Sequence, residues 1–460
     1  MSLVRSACRA AVGQKPWIAP IVIIGLVGTI VAALTTARDV AASPRPVDLP
    51  VRTAPVNARQ LADPLPPGVV LQPIDGGANF YTGHGYTKAA ALDSPNFFPI
   101  GIWYPSLNTE SDVATYEALG INMLDRPDGA CKLSLLTGTG IYAIPQYGEC
   151  GGATGSGIGK ESVGLFTDDE VDMNYGPGAG YTYLADLINR VPSSLKSGRF
   201  FWTNYGTGVL FWEPAAQAAQ FVNGYQQTVS DDLYWFTTPS ATESCAHFYL
   251  VHCTGGEARR GSNYGSAIDA IRAFEHPAGS EPIWAFVENG WPFTHERRAI
   301  TPADMNWAIW SSIIHGARGI IYFNHSFSGP AQSDNNFENS HFTLTGITGQ
   351  AKATDTLIKS LAPVLNDDTA VDYVTAHPAP SAFGGIESTA KYHDGQFYIF
   401  ADTRDAGRKS RNVHATFHLS GSSAVSVTVV NENRTIKVVK GTFTDTFATG
   451  TTVHIYAVNG

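Results

Sequence analysis

The chain has 460 residues, 43% apolar, 15% charged and 11% aromatic, a mixture that excludes a disordered chain or a coiled coil. A formal charge of −10 and a pI near 5.7 leave no basic field to grip nucleic acid, so a neutral, polyhydroxylated ligand suits the surface better than a phosphate-rich one. The length exceeds one ordinary compact domain and suits a barrel of about 250 residues joined to a smaller module.

Residues 1–40 read as a targeting segment. Arg5, Arg9 and Lys15 precede the apolar run Ile18–Leu34, and the small residues Ala37, Ala41 and Ala42 follow, as in a secretory signal. The run is 17 residues long, near the lower limit for a membrane span, so a retained single-pass anchor is the alternative. Either reading places the rest of the chain outside the cytoplasm, secreted or held at the cell surface through association of the N-terminal segment with a membrane or wall. Residues 41–67 carry seven prolines and no hydrophobic period, the composition of an extended linker.

From Gly68 onward, short apolar stretches alternate with helical ones. The expected strands are Phe97–Tyr104, Ile121–Leu124, Ile141–Pro145, Val163–Thr167, Phe200–Tyr205, Leu233–Phe236, Ile283–Glu288 and Gly319–Asn324. Helices are expected at Ser111–Leu119, Tyr181–Arg190, Pro214–Val229, Thr301–His315 and Gln350–Leu361, with the second crossover too short and glycine-containing for a firm helix. Eight strands alternating with helices predict an α/β fold, a (β/α)₈ TIM barrel, over residues 68–366. Beyond residue 367 the texture becomes β-branched and alternating. The stretch Tyr392–Tyr398 bends at Asp394-Gly395, and Val425–Val430, Thr435–Val439 and Thr452–Val458 read as further strands, predicting a small sandwich-like all-β domain over 367–460. Such modules pack on a barrel or bind carbohydrate; packing is the expectation here.

Four cysteines follow the targeting segment: Cys131, Cys150, Cys245 and Cys253. An even number in an exported chain suggests two disulfides, most simply between sequence neighbours. The alternative is a zinc site from Cys245, His247, His252 and Cys253, which lacks the usual paired-knuckle layout. On the strand assignment all four lie in loops on one face of the barrel.

That face, at the C-terminal ends of the strands, is where barrels place their chemistry. Strand four ends in Thr167-Asp168-Asp169-Glu170-Val171-Asp172, and strand seven in Phe286-Val287-Glu288-Asn289-Gly290-Trp291. Two carboxylates across a cleft suit glycoside hydrolysis: one protonates the leaving oxygen while the other attacks the anomeric carbon or activates water. Structural readings stand beside this. An acidic cluster also caps helices or binds calcium, and Glu288 would also be explained by a buried ion pair. Around the glutamates lie types that stack on sugar rings or bond their hydroxyls: Trp103, Tyr104, Arg126, Asp169, Asn204, Tyr205, Tyr234, Trp291, Tyr322 and Asn324. Strand residues alternate in facing, so about half of these are expected to pack against helices instead. Arg126 is the expected cation to hold Glu288 ionised, with a surface salt bridge as its alternative.

The layout resembles the clan A glycoside hydrolases, with an acid/base after strand four and a nucleophile after strand seven. The resemblance covers the barrel and implies Glu170 as acid/base and Glu288 as nucleophile, with retention of configuration and carboxyls about 5–5.5 Å apart. One departure is Asp169, where the family has Asn; it leaves Asp168 or Asp169 as alternative acids. No motif calls for a cofactor or a metal. The reading is an exported retaining glycosidase cleaving an extracellular poly- or oligosaccharide; the alternative is a non-catalytic carbohydrate-binding barrel.

Overall fold

The computed structural model describes residues 65–150, 158–290, 292–293, 299–327, 346–404 and 411–460. The targeting run, most of the linker and Trp291 lie outside them. Among the described residues no helix is long and apolar enough to cross a membrane.

Eight parallel strands form the barrel: β1 (Ile100–Trp103), β2 (Met123–Asp125), β3 (Tyr142–Ile144), β4 (Gly164–Asp169), β5 (Phe200–Tyr205), β6 (Thr228–Asp231), β7 (Ile283–Glu288) and β8 (Gly319–Phe323). Their order is β3-β2-β1-β8-β7-β6-β5-β4. Parallel bridges Ala143 to Ser162 and Gln146 to Phe166 join β3 to β4 and close the cylinder. The expected TIM barrel is therefore present.

The strands are buried on both faces, which is why their sequences run apolar without strict alternation. In β7, Trp284 and Phe286 point into the barrel while Ile283, Ala285 and Val287 meet the helices. Trp103, Phe166, Trp202 and Phe286 fill the interior, with Trp103 edge-on to the other three at 5.3–5.8 Å between centroids, a favoured aromatic arrangement. The short helix Phe80–Gly83 adds Phe80 and Tyr81 at the N-terminal ends of the strands, where the Tyr81 hydroxyl meets Thr228.

Helices cover the outside. Glu110–Leu119 is opened by a Thr109/Asp112 capping box and closed by Gly120 in the left-handed region. Pro302–Ile314 is opened by Thr301 and Asp304 in the same way, so the Thr-Pro signal does start a helix. The second crossover holds only a 3₁₀ turn, Leu133–Leu136.

Strand six differs from the expectation. The helix thought to run Pro214–Val229 spans Ala215–Gly224, the strand is Thr228–Asp231, and Leu233–Phe236 is the loop beyond it. The strand is hidden in sequence because Thr228 and Ser230 are polar yet enclosed. Each finds a partner inside: Ser230 Oγ accepts from Trp202 Nε1 at 2.9 Å and donates to Asn204 Oδ1 at 2.7 Å. Paired polar groups can be buried at little cost.

The C-terminal module comprises β9 (Thr369–Val371), β10 (Val374–His377), β11 (Ile386–His393), β12 (Gln396–Thr403), β13 (Arg411–Leu419), β14 (Ser426–Val429), β15 (Arg434–Lys437), β16 (Thr442–Thr449) and β17 (Val453–Asn459). One antiparallel sheet runs β9-β11-β12-β17-β14-β15, and a second runs β10-β13-β16. The expected hairpin pairs His393 with Gln396 around Asp394 and Gly395, both at positive φ. The larger sheet gains an edge strand from before the barrel, Val70–Gln72 on β9. That pairing ties the start of the globular part to its end.

Cys131 is bonded to Cys150 and Cys245 to Cys253, the neighbour pairing expected. The thiols of the alternative zinc set are thus consumed.

Candidate active site

Three strand ends on the C-terminal face carry a non-glycine residue in the left-handed region: Tyr104 (φ 51°) after β1, Arg126 (φ 49°) after β2 and Glu170 (φ 48°) after β4. Such backbone costs on the order of 1–3 kcal/mol per residue and collects at functional sites. At Glu170 it breaks the strand and starts the turn Val171–Asn174, leaving the glutamate side chain half-buried at the barrel mouth.

The four acids of this segment have different partners. Asp168 accepts from the Tyr183 hydroxyl at 2.6 Å. Asp169 accepts from Asn204 Nδ2 at 2.9 Å. Asp172 is buried and accepts from the amides of Gly206 and Val209, pinning the loop after β5. The charge of Glu170 bears on Asp232, the buried residue after β6. Asp232 Oδ2 in turn accepts from the Tyr234 hydroxyl at 3.0 Å. Burial, with Asp169 and Asp172 adding negative charge, pushes Glu170 up to about 8. Asp169 rises to about 6 by burial, restrained by Asn204 and Arg126. Glu170 is therefore biased towards its protonated form, as a general acid needs.

Glu288 occupies the end of β7, fully buried. Its Oε1 accepts from the Phe236 amide and the Tyr264 hydroxyl, both at 2.7 Å, and its Oε2 from the Thr237 hydroxyl. Burial raises it to about 7, with the three donors and Arg259 holding it down. An ionised carboxylate offers about four lone-pair sites, so these donors leave one unfilled. Arg259 donates to the carbonyls of Phe236 and Thr238, fixing the loop that supplies two of the donors.

Arg126 does not play its expected part beside Glu288. Its guanidinium lies 4.9 Å from the Tyr104 ring centroid and donates to Gln146 Oε1 and Glu149 Oε1. Its field bears on Asp169, and the cation acting on Glu288 is Arg259. The expected strand residues divide as alternation requires. Trp103 belongs to the barrel interior, and Tyr234, from the loop after β6, packs in the same cluster. Asn204 is buried between Asp169 and Ser230, and Asn324 is buried after β8. Tyr205 and Tyr322 face outward, donating to Phe221 O and to Asp355 Oδ1 in the helix layer.

Sequence reasoning missed Asp232, Thr237, Tyr264 and Arg259. Asp232 was masked by the misplaced sixth strand, although the acidic pair Asp231-Asp232 after a β-prone Thr-Val-Ser was the signal available. The other three lie in the loop and helices after β6, and no local pattern marks them. Among the described residues no group of His, Cys, Asp or Glu is arranged to hold a metal ion.

No protein-family model matches the chain, and no curated protein matches it. Among solved structures it is similar to an Anoxybacillus alpha-amylase, at 8% identity and a TM-score of 0.43 over 80% of this chain and 98% of that one. AmyP in complex with maltose aligns at 9% identity and a TM-score of 0.47, over 81% and 98%. Saccharomyces cerevisiae Gas2 in complex with laminaritetraose and laminaripentaose aligns at 11% and 0.35, over 56% and 63%. Likenesses of this size carry no argument about activity; the barrel rests on its own strand order.

Proposed function

We propose that the chain is an exported retaining glycoside hydrolase acting on an extracellular poly- or oligosaccharide, with Glu170 as general acid/base and Glu288 as nucleophile. The observation that carries this reading is Glu170: a half-buried carboxyl group at the barrel mouth, after β4, whose pKa burial and the neighbouring acids push up to about 8. In the first step Glu170 gives its proton to the leaving oxygen while Glu288 bonds to the anomeric carbon. In the second, the Glu170 carboxylate takes a proton from water, whose oxygen displaces Glu288. The separate engagement of Asp168 with Tyr183 and of Asp169 with Asn204 supports Glu170 over either neighbour as the acid. Trp103, Tyr104, Arg126, Asp169, Asn204, Tyr234, Trp291 and Asn324 are proposed around the substrate. The two disulfides support an oxidising, extracellular location.

One observation favours the second reading, a carbohydrate-binding barrel without turnover: Glu288 is closed off and held by three donors. Assays of Glu170→Gln and Glu288→Gln on a panel of polysaccharides, alongside their melting curves, separate the two. The hydrolase reading expects each variant to lose at least about a thousandfold in kcat with the fold kept. Undiminished hydrolysis by Glu288→Gln removes the nucleophile assignment. A wild-type chain that binds glycans and cleaves none establishes the second reading.

A further inference from the structure

Phe236, Thr237 and Thr238 lie beyond β6, in no helix or strand, yet the Phe236 amide and the Thr237 hydroxyl hold Glu288. Without a ladder of backbone bonds, side chains must fix this loop. Arg259 does so through Nη1, which lies 2.8 Å from Phe236 O and 2.9 Å from Thr238 O. It follows the helical turn Gly255–Ala258, opened by a Thr254/Glu257 capping box directly after the Cys245–Cys253 disulfide.

The next residue, Arg260, joins the same turn to the β module. Its side chain is fully buried. On the barrel side, Nε donates to Glu257 O and Nη2 to Asn263 Oδ1, both at 2.8 Å. On the module side, Nη1 donates to Arg404 O, just after β12, at 3.2 Å. The guanidinium also lies 4.6 Å from the ring centroid of Phe383, which precedes β11, and 5.3 Å from that of Tyr249. Burying a cation is costly unless its donors are met, and two segments of the module help to meet them.

We propose that Arg260 is a positioning residue through which the β module fixes the loop that holds Glu288. The inference rests on the reading of Glu288 as the nucleophile, and it gives the module a part in the chemistry beyond covering the barrel. Module contacts hold the Arg260 fork, and the fork holds the turn between Glu257 and Asn263. That turn delivers Arg259 to the carbonyls of the loop. If the loop drifts, Glu288 loses the Phe236 and Thr237 donors together, so its anion is less stabilised and its direction less fixed. The planar fork is what the arrangement uses, since its donors reach three oxygens on separate segments; an ammonium carries the charge without that shape.

The test needs no substrate. In the full chain labelled with δ-¹³C glutamate, the Glu288 resonance, assigned through Glu288→Gln, is followed against pH in wild type, Arg260→Lys and Phe383→Ala. Neither substitution changes the charge, so a moved midpoint reports the loop and not a lost cation. The midpoint is expected to rise by about one pH unit in Arg260→Lys, a tenfold change in proton affinity, and by about half a unit in Phe383→Ala. Phe400→Leu is the control, because Phe400 docks on Trp310 within the same junction but outside this route; its midpoint should stay at the wild-type value. A midpoint unmoved or lowered in Arg260→Lys or Phe383→Ala overturns the inference. So does an equal rise in Phe400→Leu, which would assign the effect to loosened docking at large. If Arg260→Lys does not fold, Phe383→Ala decides by the same readings. These outcomes are independent of hydrolysis, so absence of turnover would strike only the reading on which the inference rests.

Discussion

At the scale of single residues, the two glutamates are made unequal by their surroundings. Glu170 sits among acids and is biased to keep its proton, at about 8; Glu288 sits among donors and loses its proton nearer 7. Hydrolysis in the free enzyme needs Glu170 protonated and Glu288 ionised. The expected dependence of kcat/KM on pH is therefore a narrow bell. It falls below about 7 as Glu288 takes up a proton and above about 8 as Glu170 gives one up. Initial rates at low substrate across pH measure it, and a profile flat from about pH 5 to 10 would contradict both assignments. Both glutamates stood out in the sequence because Glu288 ends the apolar strand β7 and Glu170 closely follows the apolar part of β4. Asp232 did not, since Leu233–Phe236 is the more apolar stretch and drew the strand towards itself.

At the scale of elements, β1 and β2 meet over an unusual contact. Asp125 ends β2, fully buried, and no hydrogen-bond donor reaches either of its carboxyl oxygens. It occupies the room left by Gly101 of β1, where an added Cβ would overlap Asp125 Oδ2 and come within 3.3 Å of Ile320 O. Burial pushes Asp125 well above the usual carboxylate range. Gly101→Ala is expected to lower stability by about 1–3 kcal/mol, because a packed barrel interior cannot yield to one more carbon. In an Asp125→Ala background most of that cost should vanish, which a double-mutant cycle in denaturant measures. Additive effects would show that the two residues do not share the space. The glycine looked like an ordinary strand residue in sequence. Its meaning depends on the register that sets Gly101 against Met123 and Trp103 against Asp125, a long-range pairing that local pattern does not encode.

At the scale of the whole molecule, the barrel and the β module are docked through buried polar contacts as well as apolar ones. Arg404 bonds Glu387 within the module and Ser266 on the barrel at 2.8 Å. Trp307 Nε1 donates to Thr403 O at 3.0 Å, and Trp310 stacks on Phe400. Such matched groups suit one fixed arrangement. The order of strands and helices was readable from alternation, capping residues and the Asp-Gly bend. The Val70–Gln72 pairing and the interdomain contacts were not, because each joins segments far apart in sequence. The proposed joint action of Glu170 and Glu288 on one glycosidic bond has a direct test. A 2-deoxy-2-fluoro glycoside of a sugar the protein cleaves should slow the second step and leave the sugar bound to the enzyme. A sugar ester is expected on the peptide containing Glu288, found by mass spectrometry and absent from Glu288→Gln. Label on any other residue, or turnover of activated substrate with no covalent species, would contradict it.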